Sequence, residues 1–317
     1  MKRKSHNNTG QKAVVFGGSG FLGSHVADTL TERGFQVTVF DRRPSPYLKA
    51  GQQMLVGDIL DSEAVAKAVR GCGVVYHFAG FADLEDATTQ PSETVRQNIL
   101  GTAIILEAAL RAGIQRIIYS STIYVYSQLG GFYRCSKQAA ENYVEEFQRR
   151  YGLDFTVLRY GTLYGPRSDQ HNSIWRYLNQ ALVEGKIQFR GTGEEIREYI
   201  YVKDAARLSV DILSAEYRNQ HVIITGHHPM RAKDMLNMVR EIMNNRISIE
   251  YVGPSKTGIH YQSTPYSFTP KIGNKLVSNL YLDMGQGLLE CVQQMHQNLS
   301  RKTSSRKSSK PATSTKR

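Results

Sequence analysis

The sequence predicts an α/β protein: a doubly wound parallel sheet followed by a smaller C-terminal α/β lobe. Three observations lead there. Short, almost wholly apolar runs alternate with helical periodicity through the first half of the chain. Strands without polar alternation are those buried on both faces, as in a parallel sheet covered by crossover helices. The first apolar run leads into a glycine-rich turn and then a helix, and after Arg159 the rhythm loosens. At 317 residues the chain is long enough for one large core or for two that share an interface.

Residues 13–16 form the first strand. Phe21, Leu22, Val26 and Leu30 then recur at helical spacing, and Gly34 ends that helix. Residues 35–40 make a second strand and 54–56 a short third. Asp61 and Ser62 have the side chains to cap a helix to about Arg70, where Gly71 stops it. A fourth strand spans 74–78, a long helix 91–112, a fifth strand 116–120, a helix 133–151 and a sixth strand 155–158. Helical patterns return near 172–184, 202–213, 232–245 and 285–298, between short strands and Gly/Pro turns. The expected division is a basic flexible N-terminus (1–11), a dinucleotide-binding domain (12–160), a substrate-binding lobe (161–299, the chain free to cross between lobes) and a disordered basic tail (300–317).

Composition narrows the function classes. Hydrophobic residues at 40% and charged residues at 21% are those of an ordinary globular protein. No run of about 18 apolar residues exists, so no membrane span is expected. The first apolar run is too short for a signal-peptide core, which makes the cytoplasm the expected location. Cys72, Cys135 and Cys291 are odd in number and far apart, so they read as reduced thiols, with no metal site and no disulfide framework. The net charge of +12 sits at the ends: seven basic residues in 301–317 and four in 1–12, neither stretch holding an acid. The near-neutral body argues against nucleic acid as the partner. The Ser/Thr/Lys-rich tail reads as a solubilising, disordered segment.

Gly17, Gly20 and Gly23 form a GxxGxxG spacing between the first strand and the first helix, with Phe21 and Leu22 inside it. Such a turn brings backbone close to a pyrophosphate, and the helix N-terminus offers N–H groups and positive dipole to the anion. Asp41 follows the second strand, where a carboxylate accepts both ribose hydroxyls and repels a 2′-phosphate. The cofactor is therefore NAD rather than NADP, a preference that Arg42 and Arg43 soften. Asp58, with Ile59 beside it, follows the third strand near where an adenine amino group would lie. The fold is thus of Rossmann type.

Tyr133 and Lys137 are four residues apart on a helix and share a face. A free phenol, pKa about 10, is too weak a base at neutral pH, and lowering it by about 3 units takes roughly 4 kcal/mol. Lys137 and a nicotinamide charge together are expected to supply that. Tyr119-Ser120-Ser121-Thr122 ends the fifth strand, at the carboxyl edge where open α/β sheets bind ligands. Thr122 is the hydroxyl placed to orient a substrate oxygen toward Tyr133; Ser120 reads as a loop residue.

Gly17–Gly23, Asp41, Asp58, Val75-Tyr76-His77-Phe78-Ala79-Gly80, Asn98-Ile99-Leu100-Gly101-Thr102, Ser120–Tyr126, Tyr133–Lys137 and Leu158-Arg159-Tyr160 through Tyr164-Gly165-Pro166-Arg167 follow in order. Together they resemble the extended short-chain dehydrogenase/reductase family, in its nucleotide-sugar epimerase/dehydratase branch, from about residue 12 to 298. The resemblance implies a catalytic triad of Thr122, Tyr133 and Lys137. It implies cofactor contacts from Phe78, Ala79, Gly80, Asn98, Tyr133, Lys137 and Tyr160, with Lys137 on the nicotinamide ribose and Asn98 also a support of the central helix. Arg197, in Arg197-Glu198-Tyr199-Ile200-Tyr201-Val202-Lys203-Asp204, resembles the family's diphosphate-binding arginine, a role that suits a guanidinium.

Three departures stand out. Only six residues separate Tyr126 from Tyr133, where relatives carry a longer loop. Gly161-Thr162 replaces a frequent Phe-Asn. Ile123-Tyr124 follows Thr122 where the 4,6-dehydratases have Asp-Glu, which argues against that elimination. The resemblance implies an NAD-dependent epimerase acting on a nucleoside-diphosphate sugar, a UDP-sugar foremost, as a homodimer joined through two helices of the first domain. Alternatives are a nucleotide-sugar ketoreductase, dehydrogenase or dehydratase, and a non-catalytic NAD-binding sensor or scaffold. A reductase of steroid-like ketones fits less well, given Arg197.

Overall fold

The computed structural model describes residues 10–253. The basic N-terminal residues, the helical pattern at 285–298, Cys291 and the tail lie outside the described residues. The order opens β1 (Lys12–Phe16), α1 (Phe21–Glu32), β2 (Gln36–Asp41), β3 (Gln52–Val56), α2 (Ser62–Val69) and β4 (Val74–His77). It continues with α3 (Leu84–Thr89), α4 (Pro91–Val95), a π-turn at Arg96–Leu100 and α5 (Gly101–Arg111). Then come β5 (Arg116–Thr122), a 3₁₀ turn at Ile123–Tyr126, α6 (Gly131–Tyr151) and β6 (Asp154–Tyr160). The remainder comprises β7 (Thr162–Tyr164), α7 (Ser173–Glu184), β8 (Lys186–Phe189), β9 (Ile196–Arg197), β10 (Tyr199–Tyr201) and α8 (Val202–Asp211). After these lie β11 (Gln220–Ile224), β12 (Met230–Arg231), α9 (Ala232–Ile242) and β13 (Ser248–Tyr251).

Seven strands form one sheet in the order β3-β2-β1-β4-β5-β6-β11, every pairing parallel. The strand order reverses between β1 and β4, so a crevice opens beyond their carboxyl ends. Alternate residues of each strand face opposite layers, and each layer holds a buried apolar cluster. Val15, Tyr76, Ile118 and Leu158 pack with Val26 and Leu30 of α1 and Ala205 and Val210 of α8. Val14, Val75, Ile117 and Val157 pack with Ile105 and Leu106 of α5 and Val144 of α6. Each such side chain contributes about 1.5–3 kcal/mol on burial, which is why the strands read as unbroken apolar runs. A third cluster, with Ile174, Ile187, Phe189, Leu236 and Val239, joins α7 and α9 to β8.

The helix caps follow the side chains. The Asp61 carboxylate accepts from the Glu63 and Ala64 N–H groups at the start of α2. At α1 the N-cap is Gly20, and no side chain caps the helix, so the first N–H groups stay available at the crevice. Most element ends shift by one to three residues from the sequence reading, and three differences bear on the site. The long helix from Pro91 contains a π-turn. Strand β5 runs on to Thr122, because Ser120, Ser121 and Thr122 continue the ladder opposite Leu158, Arg159 and Tyr160. Helix α6 starts two residues early, after Gly130 with φ +96°. Beyond β6 the chain returns to the large sheet: α8 packs on the α1 side of the sheet and β11 becomes its edge strand. Among the described residues no helix is long and apolar enough to cross a membrane.

Candidate active site

The crevice is a groove of about 410 Å³. Its floor is the glycine turn. Gly17 has φ +77°, and a Cβ there would stand 2.5 Å from the Ala79 nitrogen and 2.7 Å from the Phe78 carbonyl carbon. A Cβ on Gly23 would stand 2.2 Å from the Gly17 oxygen, so α1 starts against the turn only because that side chain is missing. Gly20 is less crowded, 3.2 Å from the same oxygen. Phe21, Leu22 and Gly23 line the groove beside the turn, and Phe78, Ala79 and Gly80 line it from the end of β4.

At the end of β2 the Asp41 carboxylate accepts from the Ser19 N–H at 3.1 Å and from the Arg43 N–H at 3.3 Å. The Ser19 hydroxyl donates to the Arg43 carbonyl at 2.8 Å. This closes the acid against the glycine turn, with Arg42 and Ile59 on the same wall. Asp58 is absent from that wall. Its carboxylate accepts from the Leu60 N–H at 2.9 Å, which turns the chain toward α2. Asn98 also stands outside. It accepts from the Phe81 N–H at 2.6 Å and donates to the Phe81 carbonyl at 2.9 Å and the Ser136 hydroxyl at 2.8 Å, tying the loop after β4 to α6.

Thr122, Tyr133 and Tyr160 line the other end of the groove, with Ser120, Ser121 and Gly161. The segment before α6 is short and tightly turned: a Cβ on Gly130 would meet the Tyr124 ring at 2.7 Å. Desolvation pushes the half-buried Tyr133 phenol up to about 12, and a hydrogen bond with the Thr122 hydroxyl acts the other way. The buried Lys137 ammonium donates to the Ser120 carbonyl at 2.8 Å and lies over the Tyr119 and Tyr133 rings, 5.0 and 5.9 Å from their centroids. Burial lowers it to about 8, opposed by the Glu141 carboxylate. In the protein alone desolvation is the larger influence on the phenol, and the ammonium is directed at a carbonyl while lying over both rings; the expected lowering assigns part of the work to the nicotinamide charge.

The buried lysine has a consequence for stability. Between pH 8 and 10.5 the unfolded chain binds more protons at Lys137 than the folded chain, so the burden is complete below pH 8 and fades as pH rises to 10.5. Its size is on the order of 3 kcal/mol, offset by about 1 kcal/mol for the hydrogen bond to Ser120. Lys137→Met is therefore expected to unfold at higher temperature than the native protein at pH 7, with the gain shrinking by pH 10. A lower melting temperature at both values would count against this balance.

Besides Asp58 and Asn98, two further residues of the sequence reading fall elsewhere or in an altered setting. Arg197 does not line the groove; it lies on β9, where its guanidinium donates to the Ile196 carbonyl at 2.9 Å. At position 161, a side chain would stand 2.8 Å from the Thr225 methyl carbon, which accounts for glycine there. The Tyr160 hydroxyl, 2.6 Å from that of Ser209, is held by α8. Sequence reasoning also missed Gly57 and Gln97 on the groove wall. Asp83, Asp86 and His171 have ligand-type atoms within 4.8 Å of one another. They are explained by the Asp83 cap on α3 and its 3.3 Å pair with His171.

The profile of the NAD dependent epimerase/dehydratase family matches residues 13–225. A UDP-N-acetyl-alpha-D-glucosaminuronate decarboxylase of Bacillus cytotoxicus is 25% identical over 277 residues, covering 79% of this chain and 86% of its own length. A UDP-glucuronate 4-epimerase of Thermodesulfobacterium geofontis is 24% identical over 289 residues, covering 82% and 90%. The crystal structure of a UDP-glucose 4-epimerase of Thermotoga maritima with UDP-glucose superposes with a TM-score of 0.74 at 26% identity, covering 82% of this chain and 90% of that one.

Proposed function

The chain belongs to the NAD dependent epimerase/dehydratase family, and on that premise we propose that it is an NAD-dependent epimerase of a nucleoside-diphosphate sugar, a UDP-sugar foremost. One observation carries the reading. The glycine turn with Asp41 and the Thr122–Tyr133 pair line the same groove, which supports one dinucleotide spanning from the acid to the phenol. The residues fit NAD: Gly17 leaves a cradle that a Cβ would fill, α1 has no side-chain cap, and Asp41 ends β2.

NAD, when bound, supplies the hydride acceptor and, in its charged nicotinamide, the second cation that a Tyr133 phenolate needs. The chain does the rest. Thr122 hydrogen-bonds the sugar hydroxyl and orients it. Tyr133 removes the hydroxyl proton as the carbon is oxidised and returns it after the ketone has turned its other face. Lys137 places positive charge beside the phenol. Ile123, buried where an elimination would need an acid, favours epimerisation over dehydration.

The test is proton NMR with UDP-, TDP-, GDP- and CDP-sugars and NAD, without added reductant. A new epimer at constant NAD is expected. Stoichiometric NADH, a 4-keto-6-deoxy product or silence across the panel would each overturn the reading. For the cofactor, Asp41→Ser is expected to weaken NAD binding at least about tenfold and to raise the relative affinity for NADP, beside Arg42 and Arg43. An unchanged ratio in a fluorescence titration would remove Asp41 from the ribose site. We also place the protein in the cytoplasm as a homodimer. The free thiols of Cys72 and Cys135 suit that compartment, and exposed Val95, Leu100 and Tyr143 on the helices before β5 and on α6 suit self-association.

A further inference from the structure

Behind the groove lies a charged cluster that the reaction scheme does not use. Glu141 sits on α6 one turn beyond Lys137, and it is buried at 4% exposure. Its carboxylate accepts from the Ser121 hydroxyl at 2.5 Å and from two nitrogens of Arg159 on β6, at 2.6 and 3.1 Å. Arg159 donates onward to the Tyr126 hydroxyl at 2.5 Å and lies over that ring. His221 of β11 completes the surroundings, 3.9 Å from Glu141 and 3.0 Å from Glu145. Three donors converge on one buried acid, and a bidentate guanidinium is the strongest of such partners.

The placement of Ser121 gives the cluster its meaning. It stands between Ser120, whose carbonyl receives the Lys137 ammonium, and Thr122, whose hydroxyl meets Tyr133. We propose that Glu141 is the positioning residue of this site. Through Ser121 it fixes the end of β5 against α6, and its carboxylate, one helical turn from Lys137, is the counter-charge that keeps that side chain an ammonium. Arg159 tempers that charge by pairing with it. The groups that face Lys137 are His77 from β4, Tyr119 from β5, and Tyr133 and Glu141 from its own helix. Glu141 is thus the acid that opposes the burial of Lys137, while Arg159 acts on Lys137 only through Glu141.

This inference rests on the reading of Lys137 as the support of Tyr133, yet its test needs no sugar. Full-length protein carrying lysine labelled with ¹³C at the ε carbon is titrated by NMR, with and without NAD, the Lys137 signal being assigned by its loss in Lys137→Met. The native signal is expected to titrate near pH 8. Glu141→Gln removes the counter-charge and moves the midpoint down by about one pH unit. Arg159→Gln leaves the carboxylate uncompensated and moves it up. Opposite displacements support the proposal. A cluster that only holds the fold together would move both midpoints the same way or neither, and either result overturns it.

Should Glu141→Gln not accumulate as folded protein, Glu141→Asp withdraws the carboxylate by one methylene. A lowered midpoint there supports the proposal and an unchanged one overturns it. In turnover, Glu141→Gln is expected to lower kcat about 10–100-fold with KM within about threefold, and to shift the pH profile. Should no sugar turn over, the titration still decides the role of Glu141 separately from the identity of the substrate.

Discussion

Tyr133→Phe is expected to lower kcat by about 10³-fold or more while NAD affinity stays within about threefold of native. A positioned acid–base group supplies about 10²–10⁴-fold, and Tyr133 is the phenol facing Thr122 on the groove wall. The substitution keeps the ring, so packing against the groove and the Lys137 ammonium is retained. Stability is expected to fall by about 1 kcal/mol, because the hydrogen bond with the Thr122 hydroxyl is lost. Isothermal titration with NAD and a turnover assay separate the two effects. A variant that loses NAD binding along with turnover would mean that Tyr133 builds the cofactor cradle and is not the base. A variant that keeps turnover would remove it from the chemistry.

Gly17→Ala is expected to abolish measurable NAD binding and to destabilise the fold by several kcal/mol. Two costs add. The backbone at φ +77° is strained for any L side chain, about 1–2 kcal/mol in the left-handed region. The new Cβ also meets backbone at 2.5, 2.7 and 2.9 Å around Phe78 and Ala79, and backbone cannot swing aside as a side chain can. Either the turn rises into the groove or the end of β4 retreats from it, and both misplace residues that line it. Gly20→Ala is the contrast: its Cβ finds only the Gly17 oxygen, at 3.2 Å, so the fold is expected to survive with weakened NAD binding. Thermal unfolding and NAD titration of the pair check the distinction. Equal, small losses in both would show that the turn is softer than the geometry implies.

The parts of this molecule legible in its sequence are those written locally. Residues 13–16 and 74–78 read as buried strands because both faces of the sheet are covered. The glycine turn read correctly because its spacing answers a steric need, and Asp61 read as a cap because capping is a contact over two or three residues. What failed depends on distant partners. Nothing near 220–224 says that this strand pairs with β6, whose Thr156 faces Gln220 across the sheet. Gly161 is explained by Thr225 and the Glu198 carbonyl, both distant in sequence, and the Glu141–Arg159 pair spans two elements. The setting of Tyr133 in the protein alone is hidden for a different reason. Spacing shows that a cation is one helical turn away, but not that the phenol is desolvated and the cation directed at Ser120.

The central claim is that a hydride leaves and returns to the same sugar carbon within this groove, with Tyr133 moving the accompanying proton. Running the epimerisation in D₂O with unlabelled sugar nucleotide and catalytic NAD tests it most directly, by NMR of the inverted carbon. The account predicts an epimer that keeps protium at that carbon, with no accumulation of NADH. Deuterium at the inverted carbon would contradict it, since that result requires exchange of a carbon-bound proton with solvent instead of a hydride held within the site.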